Sequence, residues 1–149
     1  MLSIGQSFSK RHVFTAEDIA DFARRTGDMN PLHHDAEFAA QTRFGGLIAS
    51  GTQSSALLMG LIATSLSATN DTAGLDFTFR FRRAIPAGLH AILRWTVTAM
   101  EPSAKLGGDI VSFSGEIAGE DGQRYLTGEG RAVVWPKGSN AGASGAAKE

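Results

Sequence analysis

Two side chains that can exchange protons stand close together early in the chain, on either side of an Asn-Pro step. Asp28 and His33 flank a short segment that contains Asn30 and Pro31. A proline excludes the residue before it from the helical region, so the chain bends here and we expect the two side chains to converge. A carboxylate and an imidazole at one point can hold a water molecule and transfer its proton near neutral pH. The same residues are also typical of caps and turns, so the pattern alone leaves both interpretations open.

The segment around this pair resembles the signature of a known family. It reads GDMNPLHHDAEFAAQTRFGGLIASG from Gly27 to Gly51. This resembles the MaoC-like family of hot-dog-fold proteins, the (R)-specific enoyl-CoA hydratases and 3-hydroxyacyl-thioester dehydratases. The family signature runs roughly D-x-N-P-[LIV]-H-x-D, followed by a short helical turn and F-G-x-x-I-x-H-G. The positions that agree are Asp28, Asn30, Pro31, Leu32, His33, Asp35, Phe44, Gly45, Ile48 and Gly51.

The resemblance implies roles for three of these residues. In such enzymes the positions that match Asp28 and His33 form the catalytic pair, and the backbone N–H that matches Gly51 polarises the thioester carbonyl. Two positions depart from the family pattern. Ser50 stands where the family usually has His, and Met59 stands where some hydratases carry a serine. Neither departure removes the pair, but both bear on which acyl group the site accepts.

Further candidate substrate-binding residues lie in and beyond this segment. They are Asn30, Ser50, Thr52, Phe44, Met59, Arg80 and Arg82. Arginine matches phosphate oxygens in bidentate fashion, so Arg80 and Arg82 are candidates for the phosphates of coenzyme A, although an arginine-lined strand face is more often simply solvated. The apolar Phe44 and Met59 are candidates for lining an acyl tunnel, and core packing is the alternative role for each.

Neither a metal site nor a nucleophilic serine is predicted. His33, His34 and Asp35 are adjacent and point in different directions, and no His-x-x-x-His or cysteine pair completes a ligand shell. We expect His34 to be exposed and Asp35 to cap a helix. Ser54 and Ser55 lack the G-x-S-x-G elbow of a serine hydrolase, and we interpret both as small residues in the first turns of a helix.

The composition is that of one soluble globular domain. The chain has 149 residues, of which 42% are hydrophobic and 19% charged, so it can bury a core. A net charge of −1 offers no basic face for nucleic acid or a membrane surface. The absence of cysteine fits a reducing compartment. The N-terminus lacks the apolar region of a secretory signal, and the longest apolar segment, Ala56 to Ala63, is too short to cross a bilayer, so we expect a cytoplasmic protein.

Secondary structure in the first half of the chain is predicted from caps and apolar spacing. The predicted elements are a strand over residues 7–13; a helix that Thr15 caps and Gly27 ends; a short helix from an Asp35 cap to about Thr42, with Phe38 and Ala39 facing inward; and a helix over residues 50–67 that is apolar on nearly all sides and therefore buried.

The second half changes to the two-residue period of strands. Strands are predicted over residues 75–82, where Leu75, Phe77, Phe79 and Phe81 alternate with polar residues, and over residues 90–100, 109–118 and 124–135. An Asp-Gly step at Asp121 predicts a hairpin turn. These elements predict an α+β fold in which an antiparallel sheet wraps one long buried helix, and the resemblance implies a single hot-dog fold of the same kind. We assign residues 1–135 to this domain and residues 136–149, rich in Gly, Ala and Ser, to a flexible tail.

The predicted activity is the reversible addition of water to a trans-2-enoyl thioester, with Asp28 and His33 activating the water and Gly51 stabilising the enolate oxygen. No cofactor is expected beyond the coenzyme A of the substrate. The resemblance implies an (R)-3-hydroxyacyl product, an acyl-CoA or acyl-carrier-protein thioester as the binding partner, and a homodimer or higher homo-oligomer. Two alternatives stay open, which are a hot-dog acyl-CoA thioesterase and a non-catalytic subunit that binds acyl thioesters.

Overall fold

The computed structural model describes residues 1–139. It consists of five strands, three α-helices and one 3₁₀ turn in this part of the chain. Their order is β1 (Ser7–Val13), α1 (Ala16–Arg25), the 3₁₀ turn (Pro31–His33), α2 (Ala36–Ala40), α3 (Gly51–Ser67), β2 (Asn70–Phe81), β3 (His90–Ser103), β4 (Gly108–Gly119) and β5 (Arg124–Pro136).

The five strands form one antiparallel sheet in the order β1-β3-β4-β5-β2. One face of the sheet is buried, because alternate residues point to opposite sides of a strand. In β3, for example, Leu93, Trp95 and Val97 are at most 1% exposed. The sheet thus buries the face predicted from the alternating pattern, and the hydrophobic core lies between that face and α3.

Trp95 ties α3 to the centre of the sheet. The indole is fully buried, and the rings of Phe77, Phe79 and Phe113 lie 5.8, 6.4 and 6.2 Å from it. Its Nε1 donates a hydrogen bond of 2.7 Å to the backbone carbonyl of Leu58. A buried indole N–H needs such a partner, so this bond sets the position of α3 over the sheet.

The predicted long helix is confirmed, but its burial on nearly all sides is not. The buried apolar residues Leu58, Ile62 and Leu66 are spaced by four and form one stripe against the sheet. On the other side Met59 is 40% exposed, and Gly60 is also exposed. The physical reason is that a single sheet covers only one face of the helix in this chain.

The helices of the first half begin at the predicted caps. The hydroxyl of Thr15 accepts a hydrogen bond from the N–H of Asp18, and the carboxylate of Asp35 accepts one from Phe38. α2 ends at Ala40, about two residues before its predicted end. The prediction that Phe38 faces inward is wrong, because its side chain is 45% exposed. Ala39, the other residue predicted to face inward, is buried. A helix this short packs only one of its faces against the rest of the chain.

The strands differ from their predicted bounds mainly at β2. This strand starts at Asn70, before its predicted start, and carries a bulge between Gly74 and Asp76. The bulge separates the first residues of the strand from the alternating segment that predicted it, which begins at Leu75. Phe81 was predicted on the buried face, but it is 62% exposed. Residues 140–149 of the predicted tail lie outside the described residues. No helix within residues 1–139 is both long and apolar enough to cross a membrane.

Candidate active site

Asp28 is placed by the way α1 ends. Gly27 has a φ of +76°, a conformation that glycine adopts readily. Its N–H donates to the carbonyl of Arg24 at 3.1 Å, and the N–H of Asp28 donates to the carbonyl of Ala23 at 2.8 Å. These two bonds form a Schellman motif, which closes the helix and turns the chain sharply. The carboxylate of Asp28 therefore stands at a rigid helix end.

The Asn-Pro step then holds both the carboxylate and the next turn. The backbone N–H of Asn30 donates to Oδ1 of Asp28 at 3.1 Å. The side-chain oxygen of Asn30 accepts from the N–H of Leu32 at 3.0 Å, which caps the 3₁₀ turn that Pro31 begins. Asn30 thus orients Asp28 with its backbone and starts the turn that carries His33.

His33 is held on its other side by Ile48. Its side chain is buried, and Nδ1 lies 2.7 Å from the backbone carbonyl oxygen of Ile48. A carbonyl oxygen only accepts hydrogen bonds, so Nδ1 carries the proton. In the neutral imidazole Nε2 is then unprotonated, and it lies 3.3 Å from Oδ2 of Asp28. The predicted convergence of the two side chains is confirmed.

With Asp28 ionised and His33 neutral, the pair presents two hydrogen-bond acceptors to one point. An ionised Asp28 has no proton to give, and neutral His33 offers only a lone pair at Nε2. A water molecule at this point can donate one O–H to each, which directs its own lone pair outward. The side chain of Asp28 is 34% exposed and that of His33 is 7% exposed, so the pair is open from the Asp28 side. This arrangement suits the activation of water by a shared base.

The beginning of α3 supplies hydrogen-bond donors. The hydroxyl of Ser50 accepts from the N–H of Gln53 at 3.1 Å and so caps the helix. The N–H groups of Gly51 and Thr52 have no hydrogen-bond partner among residues 1–139. Free N–H groups at the positive end of a helix dipole stabilise negative charge on an oxygen. The α3 N-terminus can therefore bind a carbonyl oxygen on which charge develops.

The other predicted substrate-binding residues are not all brought to the pair. Ser50 is 2% exposed and its hydroxyl is used in capping, whereas Thr52 is exposed. Phe44 and Met59 are 42% and 40% exposed, so neither lines an enclosed tunnel within the described part of the chain. Asn30 supports the pair, as described above.

Arg80 and Arg82 lie on the outward face of the sheet. They line an open depression of about 480 Å³ together with Arg94 and Arg124. Successive residues of a strand face opposite sides, so these two arginines point away from the face that packs on α3. The structure does not bring them together with the Asp28–His33 pair.

The sequence prediction missed two residues that touch the candidate site. His34 was expected to be exposed, but it is half-buried and its Nε2 lies 2.8 Å from the carbonyl oxygen of Asp28. The ring of Phe81 lies against Gly51. The contact of His34 depends on the direction of its ring, which the spacing of residues does not set. No sequence signal pointed to the contact of Phe81, because it joins distant parts of the chain. Within residues 1–139, no group of three His, Cys, Asp or Glu side chains is arranged to hold a metal ion.

The fold and this constellation define a family. The family described as MaoC like domain matches residues 3–113, and the chain belongs to that family. Among sequence relatives, an (R)-specific enoyl-CoA hydratase of Aeromonas caviae is 31% identical over 128 residues, which are 86% of this chain and 92% of the hydratase. A 3-hydroxybutyryl-CoA dehydratase of Methylorubrum extorquens is 31% identical over 87 residues. The match covers 58% of this chain and spans about half of the dehydratase, 55% of its length.

Solved structures agree with this membership. The (R)-hydratase from Aeromonas caviae involved in PHA biosynthesis superimposes with a TM-score of 0.80 at 28% identity, covering 89% of this chain and 97% of that one. An unliganded R-hydratase from Pseudomonas aeruginosa superimposes with a TM-score of 0.78 at 28% identity, covering 91% and 84%. The predicted resemblance and the predicted hot-dog fold are both confirmed.

Proposed function

We propose that this protein is a hydro-lyase that adds water reversibly to the double bond of a trans-2-enoyl thioester. The names of the hydratase and dehydratase relatives support this reaction class. The observation that carries the proposal is the geometry of the pair. Because Nδ1 of His33 is bonded to the carbonyl of Ile48, both Nε2 of His33 and Oδ2 of Asp28 are left to accept hydrogen bonds from one water.

In the proposed hydration step, the oxygen of that water attacks C3 of the enoyl group. One proton of the water passes to the Asp28–His33 pair, and the electrons of the double bond shift onto the thioester oxygen. The N–H of Gly51 stabilises the resulting enolate, and the pair returns the proton to C2. Positioned proton transfer contributes roughly 10²–10⁴-fold to a rate and one oxyanion donor roughly 10²–10³-fold, so the two contributions are of similar size.

The details of the product, the thioester carrier and the oligomeric state are proposed by extension from the relatives. We propose an (R)-3-hydroxyacyl product, coenzyme A or an acyl carrier protein as the thioester carrier, and no cofactor beyond the carrier. Phe44 and Met59 contact the acyl chain in this proposal, and their exposure fits sites completed by a second copy in a cytoplasmic homodimer. A phosphate role for Arg80 and Arg82 requires coenzyme A to pass round the end of β2, because both lie on the other face of the sheet.

The test is a panel of trans-2-enoyl-CoA substrates of increasing chain length. Hydration removes the conjugated thioester, so its absorbance should decay when the protein is added without any cofactor. In the reverse direction, the same absorbance should appear when the protein is added to (R)-3-hydroxyacyl-CoA. Chiral analysis of the product checks its handedness. Thiol release from a saturated acyl-CoA would instead identify a thioesterase. Tight binding without turnover would identify a non-catalytic binding subunit, and either result would overturn the proposal.

A further inference from the structure

The aromatic ring of Phe81 packs against the backbone of Gly51 at the beginning of α3. A Cβ atom at position 51 would lie 2.8 Å from Cε1 and 2.9 Å from Cζ of this ring, which is closer than real Cβ atoms approach a neighbour. Gly51 does not have a positive φ, so its backbone conformation alone would accept other residues. A side chain at position 51 would therefore meet the ring of Phe81, which would have to move aside.

Phe81 remains open to solvent although it touches the helix. It is 62% exposed, whereas Phe77 and Phe79, on the same face of β2, pack on the buried Trp95. Its backbone is paired with Leu126 of β5, so the ring is carried by a strand of the sheet. A fixed strand thus presents an exposed aromatic ring beside a helix N-terminus whose first N–H groups have no partner within residues 1–139.

We propose that Phe81 contacts the substrate and that its ring is the wall on which the thioester group lies while the thioester oxygen meets the N–H of Gly51. This inference rests on the proposed function. It adds Phe81 to the substrate-binding residues, and Phe81 takes no part in the proton transfer. The ring lies where a Cβ atom of Gly51 would be, so it borders the residue whose N–H meets the thioester oxygen in this proposal. The aromatic face offers apolar contact to the methylene groups and the polarisable sulfur of the thioester.

The ring also affects the strength of the hydrogen bond to the thioester oxygen. When the thioester lies on the ring, the apolar ring displaces water from that side of the thioester group, and a hydrogen bond to developing charge is stronger where water is excluded. Phe81 therefore acts on substrate binding and on the stabilisation of the enolate at the same time. Tyrosine retains the ring and places its hydroxyl at the end of the side chain, so it is the conservative replacement.

The first experiment compares Phe81→Ala and Phe81→Tyr by steady-state hydration of trans-but-2-enoyl-CoA. We expect Phe81→Ala to raise KM roughly tenfold, in line with the loss of one aromatic contact. Phe81→Tyr should stay within about twofold of the wild type, since it keeps the ring. Phe38→Ala is the matched control, because it removes an exposed aromatic side chain from α2 and should leave the kinetics unchanged. Wild-type kinetics for Phe81→Ala would overturn the inference.

The second experiment is a double-mutant cycle with Gly51→Ala. In the wild-type background the added methyl group displaces the ring of Phe81 but leaves the backbone N–H in place, so we expect a loss in kcat/KM of about tenfold, similar to that of Phe81→Ala. In the Phe81→Ala background the methyl group has room, and the further loss should shrink to within about twofold. Equal losses in both backgrounds would show that the ring does not restrict position 51 and would contradict the inference.

Two further measurements distinguish a ring that contacts the thioester from a ring that a second subunit covers. Light scattering gives the oligomeric state of each variant, and a kinetic loss in Phe81→Ala that followed subunit dissociation would show that a second copy covers the ring, which overturns the inference. Calorimetric binding of butyryl-CoA, a saturated thioester, tests the contact without turnover. If the wild type hydrates no enoyl-CoA, the proposed function fails. Weaker butyryl-CoA binding by Phe81→Ala would then still support a contact between the ring and the thioester, and unchanged binding would refute that contact.

Discussion

Nε2 of His34 donates a hydrogen bond of 2.8 Å to the backbone carbonyl oxygen of Asp28. The carbonyl can only accept, so Nε2 of this imidazole carries a proton. The two rings meet edge to face, with centroids 6.4 Å apart. His34 therefore holds the backbone of Asp28 while the adjacent residue, His33, meets its carboxylate. We infer that His34 positions the pair.

Removal of this bond should slow the reaction without weakening substrate binding. A hydrogen bond of this kind contributes about 0.5–1.5 kcal/mol. If it stabilises only the arrangement of the pair that reacts, its loss corresponds to roughly a tenfold decrease in rate. We expect His34→Leu to lower kcat about tenfold with KM nearly unchanged. His34→Gln places an N–H near the position of Nε2 and should recover most of the rate. Equal kcat values for Leu and Gln variants would refute the positioning role.

Ser50 should matter more for stability than for rate. Its hydroxyl caps α3 through the N–H of Gln53, and loss of such a cap costs about 0.5–2 kcal/mol. We expect Ser50→Ala to lower the free energy of unfolding by that amount in urea denaturation, with kcat within about threefold of the wild type. Ser55→Ala is the control, since the Ser55 hydroxyl bonds to the carbonyl of Thr52 within the helix and caps nothing. A loss of activity as deep as that of His33→Gln would contradict this role for Ser50.

His12 should make the fold sensitive to mild acid. Burial lowers the pKa of His12 below its ordinary value of about 6.5, and Lys10 lowers it further, against a smaller opposing effect of Asp18. Its Nε2 is buried without a hydrogen-bond partner among residues 1–139. Below about pH 6.5 the unfolded chain therefore binds a proton that the folded chain resists, and stability falls as the pH drops toward the folded-state pKa.

Replacement of His12 by phenylalanine tests this origin. We expect wild-type stability, measured by urea denaturation, to decrease from about pH 7.5 to about pH 5.5, and His12→Phe should show a smaller decrease. His90→Gln removes an exposed histidine and should keep the wild-type slope. If His12→Phe and the wild type lose stability equally over this range, another group is responsible.

Local signals predicted most of the fold. Thr15 and Asp35 are caps whose hydrogen bonds lie within three residues, so the sequence alone places the starts of their helices. The Asn-Pro step and the family signature predicted the convergence of Asp28 and His33, which the 3.3 Å distance confirms. The catalytic roles of these residues and the domain boundary near residue 135 stay predictions.

The residues whose burial or contacts were predicted wrongly depend on other parts of the chain that cover or touch them. Met59 and Phe81 are apolar and lie in apolar patterns, which favours burial, but the rest of this chain covers each of them only in part. The contact between Phe81 and Gly51 joins residues far apart in sequence, so no local pattern contains it. The direction of the His34 ring follows from the path of the chain around the 3₁₀ turn, which spacing alone does not set.

We propose that Asp28 and His33 act on one shared water. The most direct test of this proposal is the rate of enoyl-CoA hydration by Asp28→Asn, His33→Gln and the double variant, with circular dichroism to confirm folding. Each single change should cost about 10²–10⁴-fold in kcat. The double variant should be little worse than the poorer single one, because groups that act as a unit are non-additive. Turnover near that of the wild type in either single variant, or losses that multiply in the double variant, would contradict the shared water.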